Sequence, residues 1–234
     1  MKKLVVSDWS GTIDLSLHVF DEAYRRTVNE LFGIIGSMYD DPSYVASTNA
    51  DVVAEIAKAH GIPEEAISLK RELILPAYQR NFLEALKGKG SNILPGVREL
   101  FLGLKKNGIF LSLVSGESKI TLNALVENAG FGQYFPEDMR SSGEEVESRA
   151  GLIGLPIKRA EERHGQFPRN GIYLLEDSVR GVDAGNSSGI ITVAVATGPT
   201  KYEELRLSRP VHIFSDLKGK CTSCHKKVLA IICE

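Results

Sequence analysis

The chain has 234 residues, 43% of them hydrophobic and 25% charged, with a formal net charge of −2. That is enough chain to bury one large core or two smaller ones, and near-neutral charge without a long basic run argues against nucleic acid as a partner. The apolar runs are strand-sized, far below the roughly 20 residues of a membrane-spanning helix, which argues against a membrane partner as well.

Lys2 and Lys3 lead into Leu4-Val5-Val6, an apolar run too short for a signal peptide, so the expected location is cytoplasmic. This run predicts a buried strand, and it ends on Asp8-Trp9-Ser10-Gly11-Thr12. The next segment, residues 15–91, has no strand pattern. Leu17, Phe20, Tyr24, Val28 and Leu31 form one helical stripe ending at Gly33; Val52, Val53 and Ile56 form another, opened by Thr48-x-x-Asp51 and closed by Gly61. A third helical segment starts at Pro63, with an interruption expected at Pro76.

From Pro95 onward apolar strands return, alternating mostly with helices. Val97, Leu100, Phe101 and Leu104 repeat at three and four between Pro95-Gly96 and Gly108, and a second helix is predicted from about Ser118 to Asn128, before Gly130. Strands are predicted at Ile109–Val114, Ile172–Leu175, Ile191–Ala196 and Val211–Phe214. Continuous apolar strands joined by helical crossovers imply a parallel sheet covered on both faces. The fold class is therefore α/β, a doubly wound parallel-sheet core (1–14 and 92–234) with an all-helical insert (15–91) after the first strand.

Open parallel sheets bind ligands at the carboxyl ends of their strands. Asp8 stands at one such end, Ser115 followed by Gly116 at a second, and Glu176-Asp177 at a third. Strand ends often carry Asp or Ser as turn residues, yet three together are hard to explain as turn chemistry. They suit phosphoryl transfer: a carboxylate can attack phosphorus, hard oxygen ligands suit magnesium, and a hydroxyl with backbone amides can bind the remaining phosphate oxygens.

These motifs resemble the haloacid dehalogenase superfamily. Asp8-Trp9-Ser10-Gly11-Thr12 is similar to its Asp-x-Asp-Gly-Thr, Leu113-Val114-Ser115-Gly116 to its second motif, and Glu176-Asp177-Ser178 with Gly181, Ala184 and Gly189 to its fourth. Leu94-Pro95-Gly96-Val97 resembles the family's re-entry from a helical cap into the core. The resemblance implies that Asp8 is the nucleophile and, with the Ser10 backbone carbonyl and Asp177, holds magnesium; Glu176 binds the metal directly or orients its water. Thr12, Ser115 and the Gly116 amide are implied to bind the phosphate of a small phosphorylated metabolite. The third motif, a Lys or Arg near a helix start, matches Arg149 or Lys158, the latter placed by Pro156 in a first helical turn.

Ser10 departs from the pattern. The family's phosphatases carry there an aspartate that protonates the leaving oxygen and then activates water, which a serine hydroxyl does poorly. Phosphonoacetaldehyde hydrolases carry Asp-Trp-Ala-Gly-Thr, close to this motif, but also need a cap lysine, and residues 43–51 hold none; the next is Lys58. Three expectations follow: a phosphatase, a C–P hydrolase, or a weakened phosphate-binding protein. Cys221-Thr-Ser-Cys224-His225 matches a haem-attachment pattern, and with Cys233 a four-ligand zinc site would require the tail to fold back; an incidental tail sequence is the simpler reading.

Overall fold

The computed structural model describes residues 1–41, 48–146, 149–218 and 224–234. Its centre is a six-stranded, wholly parallel sheet in the order β3-β2-β1-β4-β5-β6. The strands are β1 (Leu4–Asp8), β2 (Phe110–Val114), β3 (Arg140–Ser141), β4 (Ile172–Glu176), β5 (Ile191–Val195) and β6 (His212–Phe214). The chain builds outward from β1 through β2 to β3, then crosses back to place β4 on the other side of β1. That reversal leaves a crevice between the carboxyl ends of β1 and its neighbours.

Alternation along the central strands separates two cores. Val5, Leu113, Tyr173, Leu175 and Val193 face one side, where α5 (Val97–Lys106), α6 (Lys119–Asn128) and α10 (Cys224–Cys233) pack. Leu4, Val6, Ile172 and Leu174 face the other, against Leu152, Ile153, Ile157 and Ala160 of α7 (Arg149–His164). Helices α8 (Val179–Ser187) and α9 (Tyr202–Leu207) add a smaller cluster of Val182, Ala194 and Leu205.

The described residues between 17 and 86 form four helices, the third expected segment being divided at Lys70: α1 (Leu17–Phe32), α2 (Asn49–Ala59), α3 (Glu64–Leu69) and α4 (Arg71–Leu86). Tyr24 stacks on Tyr78 at 4.7 Å and Phe20 meets Phe82 at 5.3 Å, joining α1 to α4. The Thr48 hydroxyl accepts from the Asp51 amide, capping α2 as the Thr48-x-x-Asp51 spacing implies. Two short passages link this layer to the core, where Leu15 N donates to Asn92 O and Leu94 N to Ile13 O.

Two local expectations need correction, one strand was not foreseen, and the tail takes part in the core. Pro76 does not interrupt its helix, and Pro156 lies in the middle of α7 rather than at a start. In each case the buried flanking side chains (Ile74, Ala77 and Tyr78; Ile153 and Ile157) hold the helix together across the missing N–H. Strand β3, only two residues long, carries no readable period. The tail is a structural helix: Val228 and Ile232 of α10 are fully buried and Leu229 presses on Gly103 of α5. Cys224 and Cys233 sit at opposite ends of this ten-residue helix, roughly 13 Å apart, so they cannot share one metal. Cys221 lies outside the described residues.

Under the loop that follows β1, Trp9 is wholly buried with its ring edge-on to Phe131 at 5.9 Å, and Phe131 in turn meets Phe101 at 6.0 Å. Phe131→Ala should therefore lower unfolding stability by about 3–5 kcal/mol. Urea denaturation would show it as a lower midpoint at unchanged slope; a loss under about 1 kcal/mol would mean that the aromatic cluster collapses around the void.

Candidate active site

The site begins with the period of β1. Leu4 and Val6 point into one core, and Asp8, in the same phase, emerges where the sheet ends, paired in register with Val114 of β2. A tight loop follows. Ile13 N and Asp14 N both donate to Trp9 O, and Gly11 N donates to Asp14 O at 2.8 Å. Gly11 adopts φ +86°, and a Cβ there would fall on the Asp177 carboxylate. Any other residue at Gly11 is thus opposed by both backbone and space.

On the other side of β1, Glu176 closes β4 and Asp177 follows it. The Glu176 Oε1 accepts from Asp177 N, Ser178 N and the Ser178 hydroxyl at 2.9–3.0 Å, which ties the carboxylate to the start of α8. Asp177 is held differently. Its carboxylate lies against the backbone of Gly11 and Gly198 and accepts from the Thr12 hydroxyl at 3.4 Å, while the Thr197 hydroxyl donates to Gly11 O at 2.5 Å. Asp8, Glu176 and Asp177 are all buried and offer oxygens within 4.8 Å of one another. Hard, anionic oxygens in this number suit a magnesium ion, which would offset their mutual repulsion.

From β2 comes Ser115, 2% exposed, whose amide donates to Ser141 O and whose hydroxyl accepts from Glu117 N at 3.2 Å. Gly143 packs directly on Gly116; a Cβ at Gly143 would strike the Gly116 carbonyl. Glu117 is buried where the helical layer meets the core. Its Oε2 accepts from Asn49 Nδ2 at 3.0 Å and from the Thr121 hydroxyl at 3.1 Å, while Asn49 Oδ1 accepts from Ser118 N. Burial pushes the Glu117 carboxyl up to about 7, against the bonds from Asn49 and Thr121, which act the other way.

The structure thus brings together Asp8, Thr12, Glu176 and Asp177, with Ser115 and Gly116 at the adjoining strand end. Ser10 lies in the same loop, and its hydroxyl is buried without a hydrogen-bond partner among the described residues. Thr12, expected to bond phosphate, donates here to Asp177. Lys158 is removed from the candidates. It is the tenth residue of α7 and not in a first turn, its side chain is 72% exposed, and it pairs with Glu162 at 3.8 Å. Arg149 is the first residue of α7; its side chain lies outside the described residues. Lys58 is exposed on α2, and part of the segment expected to carry a cap lysine, residues 42–47, lies outside the described residues.

Sequence reasoning missed Glu117, Asn49, Gly198 and Asp14. Asp14 is fully buried, accepting from the Ser16 amide and hydroxyl at 3.0 Å, and burial raises its carboxyl above the ordinary range. Glu117 had one visible signal, a carboxylate two residues after a strand-end serine. Asn49 had none, since its partner lies 68 residues away.

A doubly wound parallel sheet that gathers carboxylates from β1 and β4 and a hydroxyl from β2 at its switch point has the architecture of an enzyme. The chain belongs to the haloacid dehalogenase-like hydrolases, whose family model matches residues 2–189. Solved structures of similar fold include CbbY from Rhodobacter sphaeroides in complex with phosphate (TM-score 0.78, 17% identity, 92% of this chain and 95% of that one). Beta-phosphoglucomutase from Clostridium difficile gives a TM-score of 0.72 at 18% identity, with 92% of each chain covered. A predicted phosphoglycolate phosphatase from Haemophilus somnus 129pt gives 0.70 at 19%, covering 98% of this chain and 97% of that one. Among curated proteins, none matches the sequence. No described helix is long and apolar enough to cross a membrane.

Two outcomes follow from this geometry. Gly198→Ala puts a methyl group where the Asp177 carboxylate lies, so magnesium affinity measured by calorimetry should fall at least about tenfold with the fold intact. Unchanged affinity would remove Asp177 from the ligand set. Glu117, raised from 4.5 to about 7 in the folded state, binds its proton more tightly there than in the unfolded chain. Its contribution is full below pH ~4.5 and is lost as pH rises through about 7. Glu117→Gln should flatten that decline, which is on the order of 3 kcal/mol, in unfolding curves taken across this range. A decline of the same size in the variant would assign it to other groups.

Proposed function

We propose that this hydrolase is a magnesium-dependent phosphatase acting on a small phosphorylated metabolite in the cytoplasm, with Asp8 as nucleophile. The observation that carries the reading is the convergence of Asp8, Glu176 and Asp177, buried together at the switch point of the sheet. Residues 15–91 are assigned as a cap over the core, residues 1–14 and 92–234. Neighbours of the same fold carry phosphate and, in a CbbY mutant, xylulose-(1,5)bisphosphate, which supports a phosphorylated substrate.

Asp8, Asp177 and the Ser10 carbonyl are the residues that would hold magnesium, with Glu176 a direct ligand or an orienter of its water. When bound, the ion supplies positive charge to offset the anionic nucleophile and phosphate. The chain's own groups do the rest. The Asp8 carboxylate attacks phosphorus, the bond to the leaving oxygen breaks, and an aspartyl phosphate remains. The Ser115 hydroxyl and Gly116 amide hold the other phosphate oxygens. Thr12 does so once its hydroxyl turns from Asp177. Arg149, at the start of α7, is the remaining candidate for the motif-three cation.

Ser10 sets the limit on this chemistry. Its hydroxyl neither protonates a departing alkoxide nor deprotonates water near neutral pH. Leaving groups that need no proton should react best, and the phosphoenzyme should be long-lived. This gives a second reading, a phosphate-responsive protein of low turnover, which the buried Ser10 hydroxyl, unpartnered among the described residues, favours.

Asp8→Asn should abolish turnover and the capture of fluoroberyllate, read by fluorine NMR in magnesium buffer. Full activity in that variant would overturn the nucleophile assignment. Ser10→Asp should raise steady-state hydrolysis of alkyl phosphates by about 10²-fold or more, the ordinary worth of a general acid–base group. An unchanged rate would show that another group already moves the proton.

A further inference from the structure

A cavity of about 160 Å³ lies in the seam between the helical layer and the core. Asn49, Ala50 and Leu75 line it from the helical side, and Gly116, Ser118 and Glu144 from the core. Gly116 follows Ser115, the residue assigned above to the phosphate, so the cavity adjoins that strand end. An apolar cavity of roughly 150 Å³ holds one benzene molecule, so this one suits a group of about six non-hydrogen atoms.

The chemistry of the lining is more selective than its size. Ala50 and Leu75 offer apolar surface, and the polar atoms of Asn49 are already spent. Its Nδ2 donates to Tyr24 Oη and Glu117 Oε2, and its Oδ1 accepts from Ser118 N. Two carboxyl groups bear on the space: Glu144 on the lining, its Oε1 accepting from Lys119 N at 3.1 Å, and Glu117 directly behind Asn49 and Ser118. The groups packed around Glu117 are Tyr24 of α1, Asn49 of α2, Tyr78 of α4, Ser115 after β2, and Ser118 and Thr121 at the start of α6. Among these described neighbours of Glu117 none is a cation, and Lys119 beside Glu144 has its amine paired with Glu137 at 3.4 Å, so an anion entering the cavity meets the field of the buried Glu117.

We propose that this cavity seats the leaving group of the ester, and that Glu117 with Glu144 restricts it to a small uncharged organic group, rejecting one with a second phosphate or a carboxylate. This rests on the phosphatase reading of the same site. Because the Glu117 carboxyl titrates at about 7, the rejection strengthens as pH rises through that value.

Calorimetry of the intact protein in magnesium tests this with two unhydrolysable probes, butylphosphonate and 3-phosphonopropionate. At pH 8 the uncharged alkyl probe should bind at least about tenfold more tightly, and the ratio should shrink about threefold or more at pH 6. Glu117→Gln keeps an oxygen for Asn49 and Thr121; it should reduce the ratio and flatten its pH dependence. Glu144→Gln, at a more exposed position, should reduce the ratio alone. Equal binding of the two probes, no binding of either, or a ratio unchanged in both folded variants overturns the proposal. If the selectivity holds while fluoroberyllate is not captured on Asp8, only the phosphatase reading fails.

Discussion

Three carboxylates buried within 4.8 Å of one another repel, and much of the architecture around the switch point manages that repulsion. Glu176 is stabilised by two amides and a hydroxyl at the start of α8, where the helix dipole also favours negative charge. Asp177 is positioned by glycine backbones and by Thr12. The glycines at 11, 181 and 198 are therefore one feature seen three times, since a Cβ at any of them would strike one of the acidic pair. A buried cluster of like charges costs stability, which makes it a candidate functional site.

The central sheet was legible because its strands are buried on both faces and read as unbroken apolar runs, and their ends carried the chemistry. What escaped the sequence was set by partners distant along the chain. Pro76 and Pro156 broke a local rule that the packing of Ile74, Tyr78, Ile153 and Ile157 overrode. Lys158 looked like a first-turn cation only because Pro156 looked like a helix start. Helix α10 was hidden behind its cysteines, although Val228 and Ile232 lie four residues apart on one helical face. The strand-end residues of the site were readable from periodicity and spacing, whereas Gly198 could be recognised only once Asp177 was seen to lie against its backbone.

The loop that follows β1 and the helical layer are joined by hydrogen bonds. Asp14, at the end of the loop, fixes Ser16, whose hydroxyl accepts from the Asn92 amide on the return passage. Asn49, at the start of α2, grips Glu117 and Ser118 on the far side. The layer is thus tied to the core at its connecting passages and again beside Ser115. A displacement of α2 would pull on the backbone that presents the Ser115 hydroxyl, because Glu117 N is the donor to that hydroxyl.

Ser10 and Glu117 carry opposite departures from neutrality in one site. At position 10 the loop after the proposed nucleophile carries a hydroxyl, and at 117 a carboxylate stands two residues beyond Ser115, the proposed phosphate ligand. On that assignment the carboxyl group lies toward the seam with the helical layer and not beside the reacting atoms. On the proposed reading, a group there bears on what is attached to the phosphoryl group and not on its transfer. Chemistry at Asp8 would then depend less on an internal proton donor and more on which esters are admitted, so selectivity and turnover would be governed by different carboxyl groups.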